Sequence, residues 1–138
     1  MKIFNLVIMS FFFVFASAIG QNNVELSELV KNNSGKYVFN GEVYTGTVYA
    51  KHENGTIGLI GELKEGLKEG VWQYFYSTGE KKRESTYINN KKEGITYYWY
   101  QNGQVAKEIM YRNDKNIDQK LWDENGKRKP NPGFDSFR

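Results

Sequence analysis

The chain has 138 residues, with 19 basic against 16 acidic side chains and no cysteine. The lack of cysteine excludes a disulfide framework and a lipid anchor on a modified cysteine. A formal net charge of +3 is too small to indicate nucleic acid as a partner.

The first twenty residues predict a secretory signal peptide. Lys2 supplies the positive start, Leu6 to Phe15 forms the apolar core, and Ala16-Ser17-Ala18 offers small residues for a signal peptidase. The apolar stretch is short for a spanning helix, so an uncleaved membrane anchor is the weaker alternative. We therefore expect export to the periplasm, the envelope or the exterior, leaving about 118 residues, which is one domain's worth of chain.

A polar lead segment follows, from residue 21 to 35. Its few apolar residues predict a short strand or a turn of helix laid over what comes next. Residues 36–39 and 42–44 favour strands and are separated by Asn40-Gly41, a pair that tolerates positive φ and marks a hairpin turn. A small hairpin is expected there.

The central feature is a ten-residue block that occurs twice, 24 residues apart, at Gly70–Gly79 and Gly94–Gly103. Each block opens and closes on glycine, carries a dense aromatic run, and is followed eight residues later by a tyrosine, Tyr87 or Tyr111. A fixed period of this length is the signature of a repeat architecture.

The register extends to four copies, of which the outer two, Gly46–Gly55 and Ile117–Gly126, are degenerate. The predicted organisation is a repeat domain over residues 36–126, with repeats at about 39–62, 63–86, 87–110 and 111–126. Residues 127–138 form a tail whose two prolines predict that the chain leaves the sheet there.

Each repeat is predicted to be a β-hairpin. Val71–Tyr76 and Ile95–Tyr100 are β-branched and aromatic, and each is followed by a glycine-containing turn and a more charged returning strand, Glu80–Tyr87 or Gln104–Tyr111. Helix is a poor alternative because glycine bounds every apolar run. The glycines expected at turns are Gly46, Gly55, Gly70, Gly79, Gly94, Gly103 and Gly126.

Side-chain alternation along the strands predicts one aromatic ladder on each face of the sheet. The candidate ligand-binding ladder consists of Trp72, Tyr74, Tyr76, Tyr98 and Tyr100. The aromatics of the second face, expected to serve in packing, are Phe75, Tyr97, Trp99 and Trp122. Exposed Trp and Tyr are favoured at protein contacts, whereas the competing interpretation is that long side chains such as Arg83, Lys107 and Lys120 cover the ladder.

The spacing Gly-x-Trp-x-Tyr-Phe-Tyr-x-x-Gly followed by Tyr-x-x-x-Lys-x-x-Gly resembles the bacterial variant of the MORN repeat. It is also similar to the exported bacterial proteins of the YwqK antitoxin family, and the likeness runs from Tyr37 to about Gly126. Departures are Thr96 in place of tryptophan, Lys51 in place of an aromatic residue, and Ile117 in place of glycine. The resemblance implies an all-β fold, an elongated single-layer antiparallel sheet of stacked hairpins, that serves as a scaffold for protein or membrane contacts.

No residue pattern predicts catalysis, a cofactor or a metal. His52 is the only histidine and no cysteine accompanies it, and it occupies the repeat position of Tyr76 and Tyr100, so a structural role is expected. The sequence predicts an exported, non-enzymatic protein-binding scaffold. The alternatives are an envelope module that binds lipid head groups or glycans, and a structural protein whose sheet ends pair into longer arrays.

Overall fold

A computed structural model describes residues 23–131 and 133. The predicted signal peptide (residues 1–20) and most of the tail after residue 131 lie outside the described residues. Among the residues that are described, no helix has the length and apolar character needed to cross a membrane.

The regular secondary structure of the described chain consists almost entirely of β-strands, which confirms the predicted all-β fold class. In chain order its elements are β1 (Val24–Glu25), a 3-10 helix (Leu26–Glu28), β2 (Val30–Lys31), β3 (Tyr37–Phe39), β4 (Glu42–Val43), β5 (Gly46–Lys51), β6 (Ile57–Lys64), β7 (Leu67–Phe75), β8 (Lys81–Ile88), β9 (Lys91–Lys92), β10 (Gly94–Trp99), β11 (Val105–Arg112), β12 (Lys115–Trp122) and β13 (Arg128–Lys129). A 10-stranded sheet runs in the order β1-β5-β6-β7-β8-β10-β11-β12-β13, with β9 paired to β8. The predicted hairpin strands β3 and β4 belong to a separate three-stranded sheet with β2.

The long sheet is a series of hairpins whose turns alternate between its two sides. On one side, four turns end in a glycine whose N–H donates to the carbonyl three residues earlier, at Gly55, Gly79, Gly103 and Gly126. On the other side, two-residue turns have positive φ at both positions, at Glu65-Gly66, Asn89-Asn90 and Asn113-Asp114. This backbone conformation matches the twist of paired strands and makes a tight hairpin. The sequence had indicated only a polar connection between repeats, so these second turns were missed.

Three of the predicted turn glycines, Gly46, Gly70 and Gly94, lie inside strands. Their φ values are positive, but Gly70 and Gly94 stand opposite Tyr87 and Tyr111 on the neighbouring strands. The assignment of these three glycines to turns is therefore corrected. They are strand residues held in a conformation that favours glycine.

One side chain in each repeat bonds to the backbone of the next repeat. The hydroxyl of Tyr76 donates to the carbonyl oxygen of Trp99 at 2.8 Å, and that of Tyr100 donates to the carbonyl oxygen of Trp122 at 2.9 Å. In the first copy the Nε2 atom of His52 lies 3.0 Å from the carbonyl oxygen of Phe75. His52 therefore occupies the position of a tyrosine that links one repeat to the next.

The opposite side of the sheet has an equivalent link. The carboxylate of Glu69 accepts the N–H of Asn89, and the carboxylate of Glu93 accepts the N–H of Asn113, both at 2.8 Å. Each repeat is thus bonded to its neighbour at both ends of the strands, as expected when every unit of an array contacts only the adjacent units.

Replacing Tyr100 with phenylalanine is expected to lower the free energy of unfolding by about 0.5–1.5 kcal/mol, because the link to Trp122 is lost while the ring remains. Urea unfolding followed by tryptophan fluorescence measures this change. Tyr97→Phe is the matched control, because no hydrogen bond of its hydroxyl is found among the described residues. Equal losses in the two variants would show that the link contributes nothing.

The main hydrophobic core lies at the N-terminal end of the long sheet. Val24 and Leu29 of the lead segment, with Tyr44 after the small sheet, pack in one cluster with Val48, Leu63, Trp72 and Tyr87. The predicted placement of the lead segment over the first repeat is confirmed. The sheet is therefore covered at this end by a second set of elements, and it continues from there as a single layer of hairpins.

The C-terminal end of the sheet differs from the prediction. Arg128 and Lys129 pair with β12 and do not leave the sheet. The side-chain amide of Asn131 then exchanges two hydrogen bonds with Gln119, one to its side chain at 3.0 Å and one to its carbonyl at 3.1 Å. An edge strand exposes unpaired backbone N–H and C=O groups. Arg128, Lys129 and Asn131 supply hydrogen-bond partners for some of these groups on β12.

Candidate binding face of the sheet

The strand register divides the long sheet into two faces. One face, named here the Trp72 face, carries a buried row that crosses the strands and consists of Val48, Gly61, Trp72, Ser85, Thr96 and Ile109. The opposite face, named the Tyr97 face, carries Gln73, Glu84, Tyr97 and Glu108 in one cross-strand row. The small residues Gly61 and Ser85 flank Trp72 in the buried row, so the large ring fills the space above them.

Trp72 was predicted to belong to an exposed ligand-binding ladder, and that prediction is wrong. Its side chain is 0% exposed, and its indole N–H donates to the carbonyl oxygen of Glu62 at 3.1 Å. Gly61 provides the room for the ring on the adjacent strand, and the ammonium group of Lys68 lies 4.2 Å from the ring centroid. Trp72 therefore serves the core and cannot contact a ligand.

Tyr74 and Tyr98 belong instead to a cross-strand row in which tyrosine and cationic side chains alternate. Arg83 pairs with Tyr74 on one side and with Tyr98 on the other, and Tyr98 pairs in turn with Lys107. We name these four residues the Tyr–cation ladder. All four are partly exposed, so they form the accessible part of the Trp72 face beside the buried row.

The cations of the Tyr–cation ladder lie against its rings. The guanidinium carbon of Arg83 is 3.6 Å from the centroid of the Tyr74 ring, and the Lys107 ammonium is 5.4 Å from that of Tyr98. Stacked cations keep their outer N–H groups available while they shield part of the ring. The expectation that Arg83 and Lys107 cover the aromatic ladder is thus met in part, whereas Lys120 pairs with Glu108 on the Tyr97 face.

An open cavity of ≈ 300 Å³ lies at the start of the Tyr–cation ladder. Tyr74, Phe75 and Tyr98 form its aromatic walls, and Lys82, Arg83 and His52 supply its nitrogen atoms. No carboxylate is among the lining residues that the structure describes. Concave sites with aromatic walls and a few polar groups are the usual form of a ligand pocket.

Charge is segregated between the two faces. On the Tyr97 face, Lys81 pairs with Glu84 at 2.7 Å and Lys120 pairs with Glu108 at 3.3 Å. The hydrogen bond from Lys81, and next that from Gln73, lowers the pKa of the Glu84 carboxyl. These carboxylates are therefore neutralised within the face. Within residues 23–131, Arg83 and Lys107 on the Trp72 face have no such acidic partner.

The predicted second-face aromatics pack against one another and against cations. The rings of Tyr97 and Trp99 are stacked with centroids 5.7 Å apart. The Lys81 ammonium lies 5.2 Å from the Trp99 ring, and the Arg128 guanidinium lies 5.7 Å from the Trp122 ring. The rings of Tyr97, Trp99 and Trp122 are only partly buried, so the Tyr97 face stays accessible to solvent. Phe75 was predicted to belong to this second face, but it lines the cavity beside Tyr74 and Tyr98.

Tyr76 and Tyr100 are partly buried, and their hydroxyl groups are engaged in the links between repeats described above. Of the five predicted ligand-binding residues, the structure brings only Tyr74 and Tyr98 together around one cavity. The sequence analysis assigned Arg83 and Lys107 only the role of covering the ladder, whereas the structure places Arg83 in the wall of the cavity itself. The alternation of Tyr74, Arg83, Tyr98 and Lys107 appears only when the strand register is known.

The described residues contain no group of three or more His, Asp or Glu side chains placed to hold a metal ion.

The comparisons with known proteins agree with a repeat scaffold. The sequence profile of the MORN repeat variant matches residues 68–89 and 92–113, which covers the two central copies. No curated protein and no solved structure gives a significant match. MORN repeats are commonly protein- or membrane-binding modules and are typically non-catalytic.

Alkaline pH is expected to destabilise the fold through Tyr87. Burial, and next the proximity of the Tyr74 phenol, raises the pKa of the Tyr87 hydroxyl to about 12. Because the folded-state pKa lies above the ordinary value near 10, the stabilisation is complete below pH 10 and is lost as the pH rises through 12. We expect a loss of about 2 kcal/mol across that window.

The measurement is the urea midpoint of the wild-type protein and of Tyr87→Phe between pH 9 and about 12. The variant should show a shallower decline, but not a flat one, because burial also raises the pKa of Tyr44. A decline with the same slope in both proteins would show that Tyr87 does not titrate in this range.

Proposed function

We propose that this chain is an exported, non-catalytic module that binds another protein along the Trp72 face of its sheet. The observation that carries the proposal is the Tyr–cation ladder, in which two partly exposed tyrosines alternate with two unneutralised cations. Three of its members, Tyr74, Arg83 and Tyr98, line an open cavity. Tyr and Arg are the residues most enriched where binding energy is concentrated at protein contacts. The signal-peptide pattern of residues 1–20 supports export.

The resemblance to the YwqK antitoxin family bears on the kind of partner. If the likeness extends to function, the bound protein is one that this chain holds inactive. The arrangement of the repeats suits such a role, because a row of contacts repeated along a sheet binds a long segment without requiring a deep pocket.

The proposal is tested by capturing partners on immobilised protein from a native envelope extract. Tyr98→Ala is expected to lose the captured protein, because its ring lies on the cavity wall. Tyr97→Ala is the matched control, since the two residues are adjacent and point to opposite faces of β10. A partner retained by Tyr98→Ala and lost by Tyr97→Ala would contradict the proposal.

The second candidate function is binding to lipid head groups or glycans at the envelope. It is favoured by the unneutralised cations of the Trp72 face, because such groups attract anionic head groups. Sedimentation with anionic vesicles tests it. Binding that needs Arg83 and Lys107, disappears at high salt and occurs without any protein partner would support this candidate over the first.

A further inference from the structure

Three cations of the Trp72 face, Arg83, Lys107 and Lys129, lie in a regular line. Beyond Lys107 the cross-strand row continues through Leu121 to Lys129 on β13. Arg83, Lys107 and Lys129 are therefore separated from one another by two strands each. Adjacent strands are about 4.8 Å apart, so successive cations are spaced by about 9.6 Å.

Apolar or aromatic residues fill the positions between the cations. Tyr98 stands between Arg83 and Lys107, and Leu121 stands between Lys107 and Lys129. Tyr74 precedes Arg83 at the other end of the row. A ligand lying along this row meets an apolar surface and a positive charge in turn.

The three cations are not neutralised by carboxylates of the described residues. In the described part of the chain, none of the three forms an ion pair, and the Nε–H of Arg83 is shielded from solvent without a hydrogen-bond acceptor. A buried donor without an acceptor is unfavourable for stability. The position of Arg83 is therefore not explained by stabilisation of the fold, although its stacking on Tyr74 fixes the direction of its guanidinium.

We propose that the Trp72 face recognises an extended acidic peptide segment whose carboxylates recur at every third residue, with Arg83 at the cavity as its principal anchor. This inference rests on the proposed protein-binding function and names the chemistry of the partner. A polyproline II segment rises about 3.1 Å per residue, so its every third side chain recurs after about 9.3 Å. That repeat matches the spacing of the cations, while the intervening residues lie over the tyrosines and Leu121.

A membrane surface is the less fitting source of negative charge. Arg83, Lys107 and Lys129 form a single line, with Lys82 beside Arg83 at the cavity, and the carboxylates Glu84 and Glu108 occupy the other side of the same thin sheet. Association with anionic lipid relies on a dense cluster of cations. A line of regularly spaced cations with Tyr98 and Leu121 between them instead suits one chain with regularly spaced carboxylates, to which Arg binds through paired N–H groups.

The experiment uses the full chain and a synthetic peptide of four Glu-Pro-Pro triplets, with binding measured by fluorescence anisotropy at moderate salt. Two control peptides share its length: one carries glutamine in place of glutamate, and one has the same composition with its four glutamates consecutive. We expect the triplet peptide to bind at least about tenfold more tightly than either control. Equal binding of the triplet and consecutive-glutamate peptides would overturn the proposal, because it would show attraction to charge without spacing.

Single substitutions distinguish binding to the line of cations from nonspecific attraction to the positive charge of the protein. Arg83→Gln is expected to weaken binding of the triplet peptide by about tenfold or more, and Lys107→Gln by about three- to tenfold. Lys120→Gln removes the same charge from the Tyr97 face and is expected to change binding by less than about twofold. Equal effects of Arg83→Gln and Lys120→Gln would overturn the inference.

Arg83→Lys keeps the charge but loses the paired donors, so it should bind with intermediate affinity. Thermal unfolding of each variant shows that the fold is retained. Failure of the triplet peptide to bind, while a protein partner is still captured through Tyr98, would overturn this inference and leave the proposed function standing. Arg83-dependent binding to anionic vesicles without peptide binding would overturn it in favour of lipid.

Discussion

Trp72→Ala is expected to lower the free energy of unfolding by about 3–5 kcal/mol, the largest effect of any single substitution in the sheet. The ring is fully buried and joins the lead segment, the first hairpin and Tyr87 in one cluster. Truncation removes the ring contacts and the hydrogen bond to Glu62, and leaves a cavity that the surrounding structure collapses only partly to fill. Since domains are stable by only about 5–15 kcal/mol, the variant is expected to be partly unfolded at 37 °C.

Urea denaturation followed by circular dichroism measures the loss. Trp72→Phe provides a second variant that keeps an aromatic ring and should lose less, so a measurable transition remains if the alanine variant fails to fold. Trp99→Ala is the matched control, because Trp99 is a half-buried tryptophan on the opposite face. A loss at Trp72 no larger than the loss at Trp99 would contradict the assignment of Trp72 to the core.

Gly61→Ala is expected to be the second most damaging change, although it adds a single methyl group. A Cβ atom at Gly61 would lie 2.2 Å from Cδ2 of the Trp72 ring, which is far inside van der Waals contact. The ring is held by its hydrogen bond to Glu62 and cannot move freely. We expect a loss of about 3 kcal/mol, at the upper end of overpacking costs.

A double-mutant cycle tests the cause of that loss. In a Trp72→Leu background the added methyl group meets a smaller side chain, so the further cost of Gly61→Ala should fall below about 1 kcal/mol. Chemical denaturation of the four proteins gives the coupling energy. Additive losses, with no coupling between the two positions, would show that the methyl group acts on the strand backbone and not on the ring.

The hairpin architecture was predictable because it rests on local chemistry repeated along the chain. The glycine-and-aromatic rhythm with period 24 predicted the strands β7, β8, β10 and β11 to within a few residues at each end. The positive φ values of Asn40 and Gly41 agree with the predicted hairpin there. These features depend on a few neighbouring residues, so they can be recognised from a single sequence.

The position of the core was not predictable in the same way. Alternation assigns residues to two faces but does not say which face is covered, because that depends on distant segments. Val24 and Leu29, which precede the repeats, lie in one hydrophobic cluster with Trp72, so a residue predicted to face a ligand belongs to the core. Gly61 is not one of the glycines that recur with the repeat, and nothing in the neighbouring sequence indicates that it packs against an aromatic ring.

The ladder of tyrosines and cations required the register between strands. Tyr74 and Arg83 are nine residues apart, and Arg83 and Tyr98 are fifteen apart, so no single periodicity brings them together. A bulge between Tyr74 and Phe75 in the pairing of β7 with β8 shifts the register at this point. Bulges of this kind redirect side chains beside functional sites, and here the shift lies next to the cavity.

Site-specific photo-cross-linking tests the central claim most directly, since β10 presents Tyr97 and Tyr98 to opposite faces of the same sheet. A photoreactive phenylalanine analogue is placed at one position or the other, the protein is incubated with native envelope extract, and the adducts are compared by mass spectrometry. The account predicts a defined protein adduct from position 98 and none from position 97. An adduct formed from position 97 alone, or lipid alone at position 98, would contradict it.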